Sequence, residues 1–139
     1  MRILGLDFGS KTVGVAITDP LGMTAQGMEI VRRESPNKLR KTLSRIETII
    51  KENDVELIVL GLPVNMDGSS GERVEKTKEF ADMLTRRSKV EIIFQDERLT
   101  TVEAYEIMNE AGIKREDRYK YVDQIAATII LEDYLNSHR

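Results

Sequence analysis

Apolar positions run from Ile3 to Phe8 with one charged interruption, Asp7, and resume from Val13 to Thr18 after the polar turn Gly9-Ser10-Lys11. Two short apolar runs joined by a glycine turn predict a β-hairpin, Arg2 to Phe8 and Val13 to Thr18. A third strand is expected over Thr24 to Val31, with Gly22 and Gly27 allowing bends. Ser35-Pro36 then offers an N-cap and a first-turn proline for a helix that runs to near Asn53. Along it Leu39, Leu43, Ile46, Ile49 and Ile50 recur at helical spacing, which leaves Lys38, Arg40, Lys41, Arg45 and Lys51 on the wet face.

The period then changes. Glu56 to Leu60, ELIVL, is continuous and apolar, as in a central parallel strand covered on both faces, and Gly61-Leu62-Pro63 ends it. The polar stretch Asn65 to Ser70 is a loop. Gly71 to Arg87 carries Val74, Phe80, Ala81 and Leu84 as a helix whose basic end, Arg86-Arg87, complements its dipole. Val90 to Phe94 is expected as another buried strand. Thr100-Thr101-Val102-Glu103 fits a capping box that opens a helix through Ala111, stopped at Gly112. Six of the nine residues from Gly112 to Lys120 are charged, so this stretch reads as a solvent loop before a last helix over about Tyr121 to Asn136, with Val122, Ile125, Ala126, Ile129 and Ile130 inside. The order β-β-β-α-β-α-β-α-α predicts an α/β fold, a five-stranded mixed sheet flanked by helices on both faces.

Composition narrows the chemistry. A chain of 139 residues, 40% of them hydrophobic, suits one domain spanning 1–139 with its own core. No run approaches the roughly 20 apolar residues of a membrane span, and the N-terminus enters a strand at once, so a cytoplasmic protein without a membrane partner is expected. Zero cysteines exclude thiol catalysis and thiolate zinc sites. The single histidine, His138, in a tail expected to fray, excludes His-based metal clusters and triads.

Carboxylates remain. Asp7 stands inside an apolar strand immediately before a glycine turn, where a charge is costly to desolvate; the plainer reading is a hydrogen-bonded brace for that turn. Asp96 and Glu97 follow the fifth strand at the carboxyl edge of the predicted sheet, the usual ligand edge of open α/β sheets, although strand-end acids also serve as N-caps. Asp123 lies beside the apolar stripe of the last helix and should face the sheet margin, or act simply as a first-turn acid favoured by the dipole. Three acids from three elements, with no His or Cys, would form an all-oxygen site suited to Mg²⁺ or Mn²⁺. Two such ions roughly 4 Å apart can activate water and stabilise the leaving oxygen of a phosphodiester.

Four segments in order, Leu4-Gly5-Leu6-Asp7-Phe8-Gly9-Ser10-Lys11 with Val13-Gly14-Val15-Ala16, Gly61-Leu62-Pro63 leading to Asp67-Gly68, Asp96-Glu97-Arg98-Leu99-Thr100-Thr101, and Asp123-Gln124-Ile125-Ala126-Ala127, make the chain resemble the YqgF or RuvX family. The resemblance spans nearly the whole chain. It implies a ribonuclease H-like fold, Asp7, Glu97 and Asp123 as metal-binding catalytic acids, and a metal-dependent nuclease proposed to mature the 5′ end of precursor 16S ribosomal RNA, with Holliday-junction cleavage as the alternative.

From the same segments, Lys11 and Arg98 are candidates to hold phosphates around the scissile bond, the alternative being ordinary surface charge. Thr100 and Thr101 cap a helix and would use the same N–H groups on phosphate. The Asn65 to Gly71 loop is a candidate cover over substrate or a plain connection. A net charge of −3 is the wrong sign for a nucleic-acid binder overall. Lys114, Arg115, Arg118 and Lys120, just ahead of Asp123, offer a local basic rim, and salt-sensitive, metal-dependent binding follows. Tyr105, Tyr119 and Tyr121 would stack on unpaired bases or simply pack. A monomer or weak homodimer is expected, symmetric junction cutting calling for a two-fold dimer. Two rivals stand beside the nuclease. A non-catalytic ribosome-assembly factor would keep the acids for metal alone, and an actin- or hexokinase-type ATPase would need a second copy of the hairpin domain, which the chain lacks.

Overall fold

The hairpin and its continuation form an antiparallel meander, β1 (Arg2–Phe8), β2 (Thr12–Thr18) and β3 (Ala25–Arg32). Helix α1 (Arg40–Glu52) crosses to β4 (Val55–Leu62), which pairs parallel with β1, and α2 (Glu72–Ser88) crosses to β5 (Glu91–Asp96), parallel with β4. The sheet order is β3-β2-β1-β4-β5. Helices α3 (Thr100–Glu110) and α4 (Val122–Ser137) follow. The structure is a computed structural model describing residues 1–63, 71–97 and 100–138, with the side chains of 100–102 and 119–120 outside the description.

Strand alternation divides the core in two. Leu4, Leu6 and Phe8 of β1 and Val13, Val15 and Ile17 of β2 turn to one face, where Leu43, Ile46, Ile49, Phe80 and Leu84 of α1 and α2 cover them. Ile3, Ala16, Leu57 and Val59 turn to the other and meet Ala127, Ile130, Leu131 and Leu135 of α4. Both faces of β4 are therefore covered, which explains its unbroken apolar run. The face under α4 is lined by small residues. A methyl group on Gly5 would lie 2.9 Å from Leu131 Cβ, and one on Gly27 would lie 2.8 Å from Gln124 Nε2, so the helix rests almost on the strand backbones. Among the described residues no helix is long and apolar enough to cross a membrane.

Several local expectations are corrected. Helix α1 begins at Arg40, with Leu39 at its N-cap and no side-chain cap. Ser35-Pro36 instead makes a turn closed by Lys38 N–H to the Ser35 carbonyl at 3.2 Å, with proline at the second position that such turns favour. β5 is an edge strand, alternately exposed, and Phe94 is 43% accessible. The charged stretch after α3 is not all loop, because Arg115–Lys120 is a 3₁₀ turn. His138 is the exposed C-cap of α4, and its ring stacks on Tyr134 with centroids 4.1 Å apart. The stop at Gly112 holds and is a Schellman arrangement, Ile113 N–H donating to Met108 O and Gly112 N–H to Asn109 O, with Gly112 at φ +75°. The Thr100–Thr101 cap and the Asn65–Ser70 loop lie outside the described residues and side chains.

Candidate active site

Asp7 is the penultimate residue of β1, and its odd position turns it to the α4 face, opposite Gly14 of β2. Glu97 directly follows β5 and is held in place by its own N–H donating to the Leu62 carbonyl at 3.2 Å. Because β1, β4 and β5 run parallel in that order, both residues stand at the carboxyl edge of the sheet, two strands apart. The gap is bridged across Gly61 of β4. A Cβ there would sit 2.8 Å from Glu97 Oε2 and 2.5 Å from Ile130 Cδ1. Without it the Glu97 side chain folds inward over β4 and hydrogen-bonds Asp7.

Asp123 comes from the opposite layer, in the first turn of α4. Gly14 sets how close it comes, since a methyl group there would lie 1.9 Å from the Asp123 carbonyl oxygen. The Thr12 hydroxyl, at the start of β2, donates to Asp123 Oδ2 and orients that carboxylate.

The electrostatics follow from this crowding. Burial pushes the Asp7 carboxyl up to about 6, with the Asp123 charge adding to the rise and the Glu97 hydrogen bond and Arg73 opposing it. Glu97 is pushed up to about 9, chiefly by burial, then by the charge and hydrogen bond of Asp7. A proton is thus shared between two carboxyls where a cation would serve equally well. Among the described residues no set of three acidic or imidazole side chains closes into a ready-made metal cage. The close pair is Asp7 and Glu97, and Asp123 acts on both through its charge while leaning on Thr12. An all-oxygen donor set in which burial, and then repulsion, raises Asp7 and Glu97 fits a hard divalent cation.

Arg73 is the cation that sequence reading missed. It stands in the first turn of α2, donates from Nη2 to the Phe8 carbonyl at 3.4 Å, and draws both acids down. A cation in the first turn opposes the helix dipole, and that broken local rule is the signal by which it could have been found. Thr12 carried no such signal, because a threonine opening a strand is ordinary.

The remaining candidates are placed less centrally. Lys11 is exposed beside the turn, and its carbonyl accepts the Arg33 N–H at 2.9 Å. Lys114 is exposed. Arg118 is half-buried, donates to Asn109 Oδ1 and lies over the Tyr105 ring, 6.0 Å from its centroid, so it is engaged with α3. Tyr105 and Tyr121 are exposed. Arg98 and the side chains of Thr100, Thr101, Tyr119 and Lys120 lie outside the description.

Comparison with known proteins gives the family and the fold. The family model described as "RuvX: Holliday junction resolvase" matches residues 1–137. A protein of Agathobacter rectalis named "Putative pre-16S rRNA nuclease" is 65% identical over 136 residues, covering 98% of this chain and 95% of its own. One of the same name from Lachnospira eligens is 54% identical, covering 99% and 98%. Among solved structures, the fowlpox virus Holliday junction resolvase superposes with a TM-score of 0.60 at 16% identity, covering all of both chains. T. thermophilus RuvC in complex with a Holliday junction substrate gives 0.56 at 13% identity, covering 99% of this chain and 95% of that one. These two likenesses establish the ribonuclease H-like fold. With a family model matched over 137 residues and close relatives aligned nearly end to end, the chain belongs to the RuvX family.

Proposed function

We propose that the chain is a single-domain, divalent-metal-dependent nuclease of structured nucleic acid, with precursor 16S ribosomal RNA as its substrate. The observation that carries this reading is the close pair Asp7 and Glu97 at one sheet edge, each raised above the ordinary carboxylate range by burial and then repulsion, with Asp123 of α4 acting on both through its charge. The close relatives named for precursor 16S rRNA point to the substrate. A ribosomal RNA substrate places the work in the cytoplasm.

Asp7, Glu97 and Asp123 would hold Mg²⁺ or Mn²⁺. When bound, that cation supplies Lewis-acid activation of water and charge neutralisation at the phosphate. The chain's own residues do the rest. Asp7 and Glu97, once deprotonated, would present an anionic floor to the cation, with Thr12 holding the Asp123 carboxylate by its hydroxyl. Arg73, beside both acids, offsets their charge and meets the negative charge that gathers on the phosphate during displacement. Lys11, Lys114 and Arg118, together with Arg98, Thr100 and Thr101, supply backbone contacts farther along the strand.

The test is cleavage of precursor 16S rRNA, single-stranded RNA and a four-way DNA junction with Mg²⁺ or Mn²⁺, comparing wild type with Asp7→Asn and recording mass by light scattering. Cutting of the rRNA precursor that disappears in the variant is expected. Cutting confined to the junction, by a two-fold dimer, would transfer the reading to a resolvase, the activity in the family model's name. Tight binding of rRNA without turnover by either protein would leave an assembly factor.

A further inference from the structure

On the sheet face away from α4, next to the acids, a cleft of about 240 Å³ opens between the β1–β2 turn, the segment leading into α1, and α2. Gly9, Arg33, Arg73 and Lys76 are on its walls together with two acids of α2, Glu72 and Glu79. Arg33 is the unusual member. Its Nη2 donates to the Gly9 carbonyl at 2.5 Å and its Nε to the Pro36 carbonyl at 3.4 Å. Its guanidinium lies 4.8 Å from the Phe8 ring centroid, and that ring is stacked on Phe80 at 4.3 Å. Nη1 is buried without a partner, and among the described residues no carboxylate pairs with this cation. A half-buried guanidinium held by carbonyls and a ring, with one buried N–H group left without an acceptor, is able to take up an anion that approaches it.

Two geometric facts say which anion. Gly9, on the cleft wall, is two residues beyond Asp7, about 7 Å along an extended chain. Arg73 belongs to both places, lining the cleft while its Nη2 reaches the Phe8 carbonyl, one residue from Asp7. A strand whose scissile phosphate sits over the acids and which crosses the end of β1 reaches the cleft one nucleotide step later. We propose that this cleft is a phosphate subsite for the neighbouring phosphodiester of the substrate strand, with Arg33 as the fixed charge beneath it and Arg73 shared with the cleavage site. It rests on the nuclease reading for the identity of the strand, but not for the chemistry of the anion. Lys76, tied to Glu72 at 3.4 Å on the exposed rim, is a lesser contributor. Arg33 is rigidly tethered by its two carbonyls and its ring, so the charge costs little side-chain entropy to present.

The test has two arms. Inorganic phosphate and 5′-AMP are titrated into metal-free wild-type protein, followed by NMR at the Gly9 and Ser10 amides and the Arg33 Nε–H. In parallel, an RNA oligonucleotide is bound in EDTA across a salt series by wild type, Arg33→Lys and Arg33→Ala. Saturable shifts confined to these groups are expected in the first arm. In the second, Arg33→Ala should bind about tenfold more weakly, with a salt slope lower by about one unit, while Arg33→Lys keeps most of the slope. Shifts with phosphate and AMP but an unchanged salt slope for RNA in both variants would overturn the strand assignment and make the cleft a mononucleotide site. No shift in wild type overturns the subsite outright, even if Arg33→Ala fails to fold. Because neither arm needs turnover, an inactive nuclease with a responsive cleft would count against the proposed reaction alone.

Discussion

Replacing Asp7 by Asn should stabilise the metal-free protein, and by an amount that depends on pH. The carboxyl has an ordinary value of 3.8 and is pushed up to about 6 in the fold, chiefly by burial. Between these values the unfolded chain has released its proton while the folded chain still holds it, so wild-type stability is lost as pH rises from about 4 through 6. The difference of about two units is worth roughly 3 kcal/mol above that window and less than about 1 kcal/mol at its lower end. Asparagine is nearly isosteric, keeps a hydrogen bond within reach of Glu97, and carries no charge to desolvate. For a chain of this size 1 kcal/mol moves the melting temperature by roughly 3 °C. Melting followed by circular dichroism in EDTA should therefore place Asp7→Asn up to about 9 °C above wild type near pH 8, and within about 3 °C near pH 4. An equal gap at both pH values, or a variant that melts lower near pH 8, would refute the claim that Asp7 is held under electrostatic strain.

Divalent metal should act as the mirror image: Mg²⁺ at about 100 times its dissociation constant adds ~2.7 kcal/mol to wild type, and a melt of Asp7→Asn at the same concentration should show little of that gain. Gly14→Ala pushes a methyl group to 1.9 Å from the Asp123 carbonyl, which is backbone and cannot swing away; chemical denaturation should show a loss of roughly 1–3 kcal/mol from this overpacking, and cleavage assays a still larger proportional loss as Asp123 is lifted from Asp7. Lys89 ends α2 at φ 62°, its N–H donating to Thr85 O at 3.0 Å; Lys89→Gly relieves the left-handed strain and should raise the melting temperature by a few degrees without changing turnover.

Much of the architecture was legible along the chain because it is written in short-range periods. The alternation of β1 and β2, the unbroken ELIVL of β4 and the apolar stripes of α1 and α2 each depend on neighbours within a few residues. Asp7 was visible for the same reason, as a charge inside an apolar period. Two local ambiguities went the other way. Ser-Pro opens a turn as readily as a helix, and only the backbone after it decides, here delaying α1 to Arg40. Ile92, Ile93 and Phe94 read as a buried strand, but with β4 as its one sheet neighbour β5 is an edge, so one side of the run is left to solvent. What could not be read was long-range. Arg73 reaches Phe8 across 65 positions and Thr12 reaches Asp123 across 111, and no window along the chain contains either pair. The Arg33 tether to Gly9 spans 24 positions and joins a loop to a turn, two places where periodicity says nothing.

Helix α4 packs on all five strands and brings in Asp123, yet it is made after every one of them. During synthesis the meander, α1, β4, α2 and β5 can pair while the face carrying Asp7 is bare, so an incomplete chain has an open apolar sheet and a cleavage centre lacking one acid. The acid set proposed above is therefore complete only once the last helix has docked on the sheet. Hydrogen exchange on chains arrested before Val122 tests it, since protection of β1 and β2 equal to that of the finished protein would mean that the sheet closes without its last helix.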